Sequence, residues 1–81
     1  MSLGREQEEN VSRKFGEAVR HRRLALALSQ EELADLSGLH RTYISDVERA
    51  TRNITLKSAA RIAFSLNTKL TTLLEETIEA G

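Results

Sequence analysis

From Val11 onward, apolar residues return every three or four positions, and no stretch alternates apolar with polar in the two-residue period of a strand. Val11, Phe15, Val19 and Leu24 or Leu26 mark the stripe of a first helix over 11–26. Leu33, Ala34 and Leu36 face inward on a second helix. Ile44 and Val47 anchor a third, which runs from His40 or Arg41 to about Arg49. Leu56, Ala59, Ile62, Ala63 and Leu66 line a fourth, and Leu70, Leu73, Leu74 and Ile78 a fifth over about 70–79. Both phenylalanines, Phe15 and Phe64, read as core. The pattern predicts an all-α fold, a compact five-helix bundle. Residues 1–10 are polar and unpatterned, so they read as a flexible lead-in, with 11–81 forming one domain.

Local chemistry punctuates these helices. Ser29-Gln30-Glu31-Glu32 has the spacing of a capping box, in which the Ser29 hydroxyl accepts the Glu32 N–H and the Glu32 carboxylate accepts the Ser29 N–H. Gly38 interrupts the chain between the second and third helices, where positive φ carries no Cβ penalty. Thr55 is placed to cap the fourth helix, and Asn67, tolerant of left-handed geometry, to end it. His40 stands where Ser, Asp or Asn is the usual N-cap, so the third helix is poorly capped by a side chain.

Composition narrows the class. The 81 residues contain no Cys and no Pro, and His21 and His40 lack metal-ligand spacing, so neither disulfides nor a structural zinc site is expected. A reducing, cytoplasmic location fits. No apolar run reaches the ~18 residues of a membrane span, and no signal peptide is visible. Twelve bases balance twelve acids, but unevenly. Residues 1–10 carry a net −2 and 70–81 a net −3, while 11–69 hold eleven bases against six acids. A basic body between acidic ends is a layout seen in proteins that meet an anionic partner with one face. No nucleophile–base pair, metal cluster or phosphate-binding loop appears, so neither an enzyme nor a cofactor is expected.

Two short helices joined at a glycine bend have the geometry of a helix-turn-helix, here QEELADLSGLHRTYISDVER over 30–49. Ala34 supplies the small residue needed where the two helices approach, and Leu33, Ile44 and Val47 lock the pair to the rest of the domain. Over about residues 12–76 the chain resembles the Cro/C1-type (XRE) helix-turn-helix family, through Ser29-Gln30-Glu31-Glu32-Leu33-Ala34 and Ile44-Ser45-Asp46-Val47-Glu48-Arg49. The run RTYISDVERATRNITLKS at 41–58 is similar to the controller proteins of restriction–modification systems. The resemblance implies a lambda-repressor-like fold and a DNA-binding transcriptional regulator.

It also implies roles for individual residues. The helix from Arg41 would enter the major groove, with Arg41, Thr42, Tyr43, Ser45 and Asp46 on its leading turns. Arg41 can donate two hydrogen bonds to a guanine edge, and Thr42 can meet a thymine methyl or a phosphate. Tyr43 either packs internally or touches the DNA. Asp46 either accepts from cytosine or excludes wrong bases and orients Arg41 or Arg49. Gln30 resembles the family's phosphate-gripping glutamine, and Arg52, Asn53, Lys57 and Ser58 would line the DNA backbone. Arg23 corresponds to a base that pairs with the acid at Glu48, the alternative being direct DNA contact. Ala27 stands where the family commonly has Gly, and Lys69 where it has a capping Ser or Asp.

Leu70, Leu73, Leu74 and Ile78 give the last helix more apolar surface than its own bundle needs, which predicts a homodimer joined there and at the adjacent end of the fourth helix. A two-fold axis would set the reading helices ~34 Å apart on an inverted-repeat operator. One small domain leaves no ligand-sensing module, so double-stranded DNA and a second copy of the chain are the expected partners, without a small molecule or a membrane. Two rival functions share the fold: an antitoxin with a toxin-binding segment at residues 1–10 or 75–81, and a bundle that binds only protein. Steep salt dependence of DNA binding separates the last from the other two.

Overall fold

The computed structural model describes the backbone of residues 4–79 and, within it, the side chains of residues 10–77. Five helices follow one another: α1 Arg5–Ala25, α2 Gln30–Ser37, α3 Arg41–Glu48, α4 Leu56–Ser65 and α5 Leu70–Glu79. Among the described residues there is no strand. α1 starts at Arg5 rather than Val11, because helical geometry continues through the polar turns ahead of the apolar stripe. Residues 1–3 of the expected lead-in lie outside the described residues.

Each later boundary has a local cause. The capping box at Ser29 is complete, with Glu32 N–H donating to Ser29 Oγ at 3.0 Å and Ser29 N–H donating to Glu32 Oε1 at 2.9 Å. Those hydrogen bonds hold the Glu32 carboxyl below the usual carboxylate range. Thr55 Oγ1 accepts Ser58 N–H at 3.1 Å and opens α4, whereas His40 makes no side-chain cap to α3.

The helix ends repeat one device: a left-handed residue follows the last turn, and the next N–H reaches back five residues. Leu28 N–H donates to Arg23 O, Leu39 to Ala34 O, Thr51 to Asp46 O and Thr68 to Ala63 O. The left-handed residues are Ala27 (φ 57°), Gly38 (φ 70°), Ala50 (φ 59°) and Asn67 (φ 58°). Gly and Asn suit that region, but the Cβ of alanine crowds the following carbonyl there. Ala27→Gly and Ala50→Gly should therefore each stabilise the domain by about 1 kcal/mol in urea denaturation. A loss of similar size would show that the residue sits in ordinary helical φ.

α1 packs against α3 and α5, α2 against α3 and α4, and α4 against α5. Phe15, Val19, Leu33, Ile44, Val47, Ile62, Leu66 and Leu73 make the centre of the core, with Ala18, Ala34, Ala59 and Ala63 at the close approaches. Gly16 makes a close approach of its own. A Cβ built there would lie 2.4 Å from Val47 O and 2.9 Å from Glu48 O, so α1 touches the main chain at the end of α3.

Several expected core positions face outward instead. Phe64 is 84% exposed, because the inner stripe of α4 runs through Ala59, Ile62, Ala63 and Leu66 and leaves residue 64 nearly opposite. Leu36 is exposed for the same reason, since Leu33, Ala34 and Ser37 take the inner face of α2. Val11, Leu24 and Leu26 are exposed, and the inner place in the last turns of α1 belongs to Arg23. Leu56 precedes the buried part of α4 and is also exposed.

Leu73 corrects the proposed dimer face. It is 0% exposed and belongs to the protomer's own core, so it is not available to a partner. Thr77 fills the next inner place, satisfied by donating from its hydroxyl to Leu73 O at 2.8 Å. Leu70 is half-buried against the core, Leu74 is exposed, and the side chain of Ile78 lies outside the described residues. On the other side of α5, Arg22 holds Glu76 through Nη2 at 2.6 Å and Nε at 3.0 and 3.1 Å. That contact ties α5 to α1 and holds the Glu76 carboxyl below its usual range.

Candidate nucleic-acid interface

α2 and α3 meet across Gly38, whose left-handed turn reverses the chain in three residues. α2 buries Leu33 and Ala34, and α3 buries Ile44 and Val47, so the opposite side of α3 points away from the bundle. That outer side begins with Arg41 and Thr42, both exposed, and continues through half-buried Ser45 and Asp46 to exposed Arg49. Among the described residues Arg41 makes no ion pair or side-chain hydrogen bond, so its guanidinium is free for a ligand.

Behind this face lies a polar network that sets its position. Arg23 donates from Nε to Glu48 Oε2 at 2.7 Å and from Nη2 to Glu48 Oε1 at 3.0 Å. Its remaining Nη1 donates to Leu28 O at 2.8 Å, at the turn after α1. Gln30 Nε2 adds a fourth bond, to Glu48 Oε1 at 3.1 Å. One carboxylate at the last residue of α3 thus joins the end of α1 and the start of α2. Both partners of the pair are nearly buried, with side chains 9% and 3% exposed. The hydrogen bond to Glu48 raises the Arg23 guanidinium above its already high ordinary range, so it stays charged. Gln30 has one amide hydrogen and its carbonyl left over, and it is half-buried at the head of α2.

A second cluster sits on the outer face. Asp46 Oδ1 accepts from Arg49 Nη2 at 3.0 Å, and Asp46 Oδ2 accepts from Arg52 Nε at 3.3 Å and lies 3.2 Å from Arg52 Nη2. The Arg52 guanidinium also lies over the Tyr43 ring, 5.1 Å from its centroid. Tyr43 itself is half-buried and packs on the core. Asp46 therefore orients Arg49 and Arg52, not Arg41. Hydrogen bonds from Arg49 first, then Arg52, hold the Asp46 carboxyl below its usual range.

Asn53 in the loop is exposed, and in the first turn of α4 Lys57 is exposed and Ser58 half-buried. Arg41, Thr42, Arg49, Arg52, Asn53 and Lys57 are thus exposed and Ser45 half-buried, while Arg23 and Glu48 are paired in the interior. Neither the Gly16 contact nor the stacking of Arg52 on Tyr43 is expected from helical periodicity. A glycine inside an otherwise strong helix is the one sequence signal for the first. The second crosses a helix end and leaves none. Among the described residues no group of three or more His, Cys, Asp or Glu could hold a metal ion, and no helix is long and apolar enough to cross a membrane.

Two helices joined at a left-handed glycine, the second presenting free and clamped arginines, form a helix-turn-helix unit braced by a buried ion pair. The helix-turn-helix family model matches residues 19–73. Control protein C.SmaI of Serratia marcescens is 52% identical over 60 residues, which is 74% of this chain and 71% of that protein. The restriction–modification controller protein C.AhdI of Aeromonas hydrophila superposes with a TM-score of 0.74 at 44% identity, covering 75% of this chain and 92% of that one. The restriction–modification controller C.Esp1396I, solved as a tetramer with its natural 35 base-pair operator, has a TM-score of 0.79 at 36% identity over 85% and 91%. The chain belongs to the helix-turn-helix family, among its restriction–modification control proteins.

Proposed function

We propose that this chain is a sequence-specific transcriptional regulator of a restriction–modification system, binding an inverted-repeat operator as a homodimer in the cytoplasm and catalysing no reaction. The observation that carries this reading is the outward face of α3, where an unpaired Arg41 leads a helix whose inner side is locked into the core. Arg41 and Thr42 enter the major groove and read base edges, with Ser45 beside them, while Asp46 orients Arg49 and Arg52. Gln30 at the head of α2, with Arg52, Asn53, Lys57 and Ser58, grips the phosphate backbone and sets the register. Tyr43 serves as the platform on which Arg52 rests.

The dimer face is proposed around a groove of about 140 Å³ bordered by Val11, Ile54, Leu56, Leu70 and Leu74. It gathers the exposed apolar residues of α1, α4 and α5 beside the loop that carries Arg52 and Asn53. The proposed two-fold axis runs through this groove, so that two α3 helices are presented to successive major grooves. The similar controller C.Esp1396I binds its 35 base-pair operator as a tetramer, which supports more than one copy of this chain acting on DNA.

The test is selection of bound sequences from a random duplex pool, followed by titration of two variants at several salt concentrations. Arg41→Ala should cost roughly 1–3 kcal/mol on the selected operator and flatten preference at one base pair per half-site. Arg52→Ala should weaken the operator and its single-base variants by the same factor and lower the salt slope by about one unit per subunit. If Arg52→Ala altered base preference while Arg41→Ala left it intact, the assignment of reader and gripper would be reversed. Binding without salt dependence, or none, would favour a bundle that binds only protein.

A further inference from the structure

The arginines of the reading face are not equivalent. Among the described residues Arg41 is free, whereas Arg49 and Arg52 share one carboxylate, using both of its oxygens. Arg52 is held from two further sides. Its guanidinium rests over Tyr43, and its loop is pinned because Thr51 donates from N–H to Asp46 O at 2.9 Å and from Oγ1 to the same carbonyl at 3.3 Å. Asp46 thus fixes the loop through its main chain and the arginine through its side chain. The cluster presents two guanidiniums and one carboxylate, a single surplus positive charge instead of two.

We propose that Asp46 sets the sequence selectivity of the α3 face by clamping Arg49 and Arg52, so that these arginines meet phosphates only in the operator register. The proposal rests on the DNA-binding reading above and deepens it.

Selectivity is a difference in affinity between two complexes. Long unclamped arginines sweep a wide arc and find a phosphate on any duplex, which strengthens binding everywhere and discriminates nothing. A clamped guanidinium occupies one position. It matches the backbone where Arg41 has seated α3 on its bases, and misses it where the helix is shifted. The carboxylate adds a repulsive element, since a phosphate displaced toward α3 meets Asp46 rather than a cation. Asp46 is ionised in ordinary buffers, as its pairing with Arg49 and Arg52 requires. It is a positioning residue, acting through two arginines rather than by its own contact with a base.

Asp46→Asn preserves the side-chain shape and removes the charge, and it leaves the main-chain bonds of Thr51 in place. Wild type and variant are titrated with the selected operator and with a random duplex of equal length, across a salt series. Random-duplex binding should tighten roughly 3–10-fold, with the salt slope steeper by about 0.9 per subunit for the cation released. Operator affinity should move by less than about 3-fold, so the selectivity ratio falls. In an Arg52→Gln background the effect of Asp46→Asn on random duplex should shrink, because one of the two clamped cations is gone. An independent arm needs no DNA. The Arg52 Nε–H resonance, displaced by the Tyr43 ring in the wild type, should move toward its free position in Asp46→Asn, with the unfolding midpoint unchanged. Loss of operator affinity with random-duplex binding unaltered would overturn the proposal and make Asp46 a direct base reader. An unmoved Arg52 resonance would overturn the clamp itself. Failure of the wild type to bind any duplex shows before variants are compared, and it defeats the regulator reading together with this proposal.

Discussion

Glu48→Ala should lower the unfolding free energy by about 3–5 kcal/mol, the usual loss when one partner of a buried ion pair is removed. The carboxylate serves three donors of Arg23 and Gln30, and its side chain is only 3% exposed, so water cannot take its place. Arg23 would then keep its charge in a nearly closed site, with Leu28 O as its one remaining partner among the described residues. A domain of this size has roughly 5 kcal/mol to lose, so much of the population should be unfolded at 37 °C. Urea denaturation measures the loss. The paired change Arg23→Met with Glu48→Leu should recover most of it, because apolar side chains remove the desolvation penalty along with the attraction. A loss below about 1 kcal/mol in Glu48→Ala would mean that the pair behaves as a solvated surface contact.

Gly16→Ala tests the other support of the reading helix and sets two magnitudes against each other. Inside a helix, alanine is favoured over glycine by about 1 kcal/mol. Here its Cβ would fall 2.4 Å from Val47 O and 2.9 Å from Glu48 O, and both contacts are main chain, which has no rotamer to yield. Overpacking of this kind costs about 1–3 kcal/mol and occasionally more. The end of α3 cannot move away freely, since it is held by Arg23 through Glu48 and by the left-handed turn at Ala50. The clash should win, giving a net loss of about 2 kcal/mol in thermal or urea denaturation. The part relieved by shifting α3 should appear as weaker discrimination between operator and random duplex. A stabilised Gly16→Ala would show that α1 and α3 stand farther apart than described.

The capping box at Ser29, the cap at Thr55 and the left-handed positions at Ala27, Gly38 and Asn67 are interactions between residues at most five apart. Spacing determines such bonds, so the five helices and the turn between α2 and α3 follow from the chain alone, the early start of α1 excepted. The outward arginine and threonine at the head of α3 were legible from periodicity, because a helix with Ile44 and Val47 inward turns Arg41 and Thr42 outward. The resemblance to the Cro/C1-type family supplied the pairing of Arg23 with residue 48, which no local rule contains.

What the tertiary structure alone decided is the phase of each helix and what meets across helix ends. An apolar side chain states a preference for burial without stating which side of the helix will be covered. Phe64 faces solvent and Leu73 the core because α4 and α5 are rotated to satisfy Ile62, Leu66 and Thr77 together. The same rotation removes Leu73 from any partner and leaves Leu56 and Leu74 beside the groove. Asp46, Arg52 and Tyr43 converge because the chain doubles back after α3 at a left-handed alanine, a direction that helical periodicity cannot carry past the helix end. Gly16 is required by the carbonyls of residues more than thirty positions away, and only the packing of α1 on α3 brings them within reach.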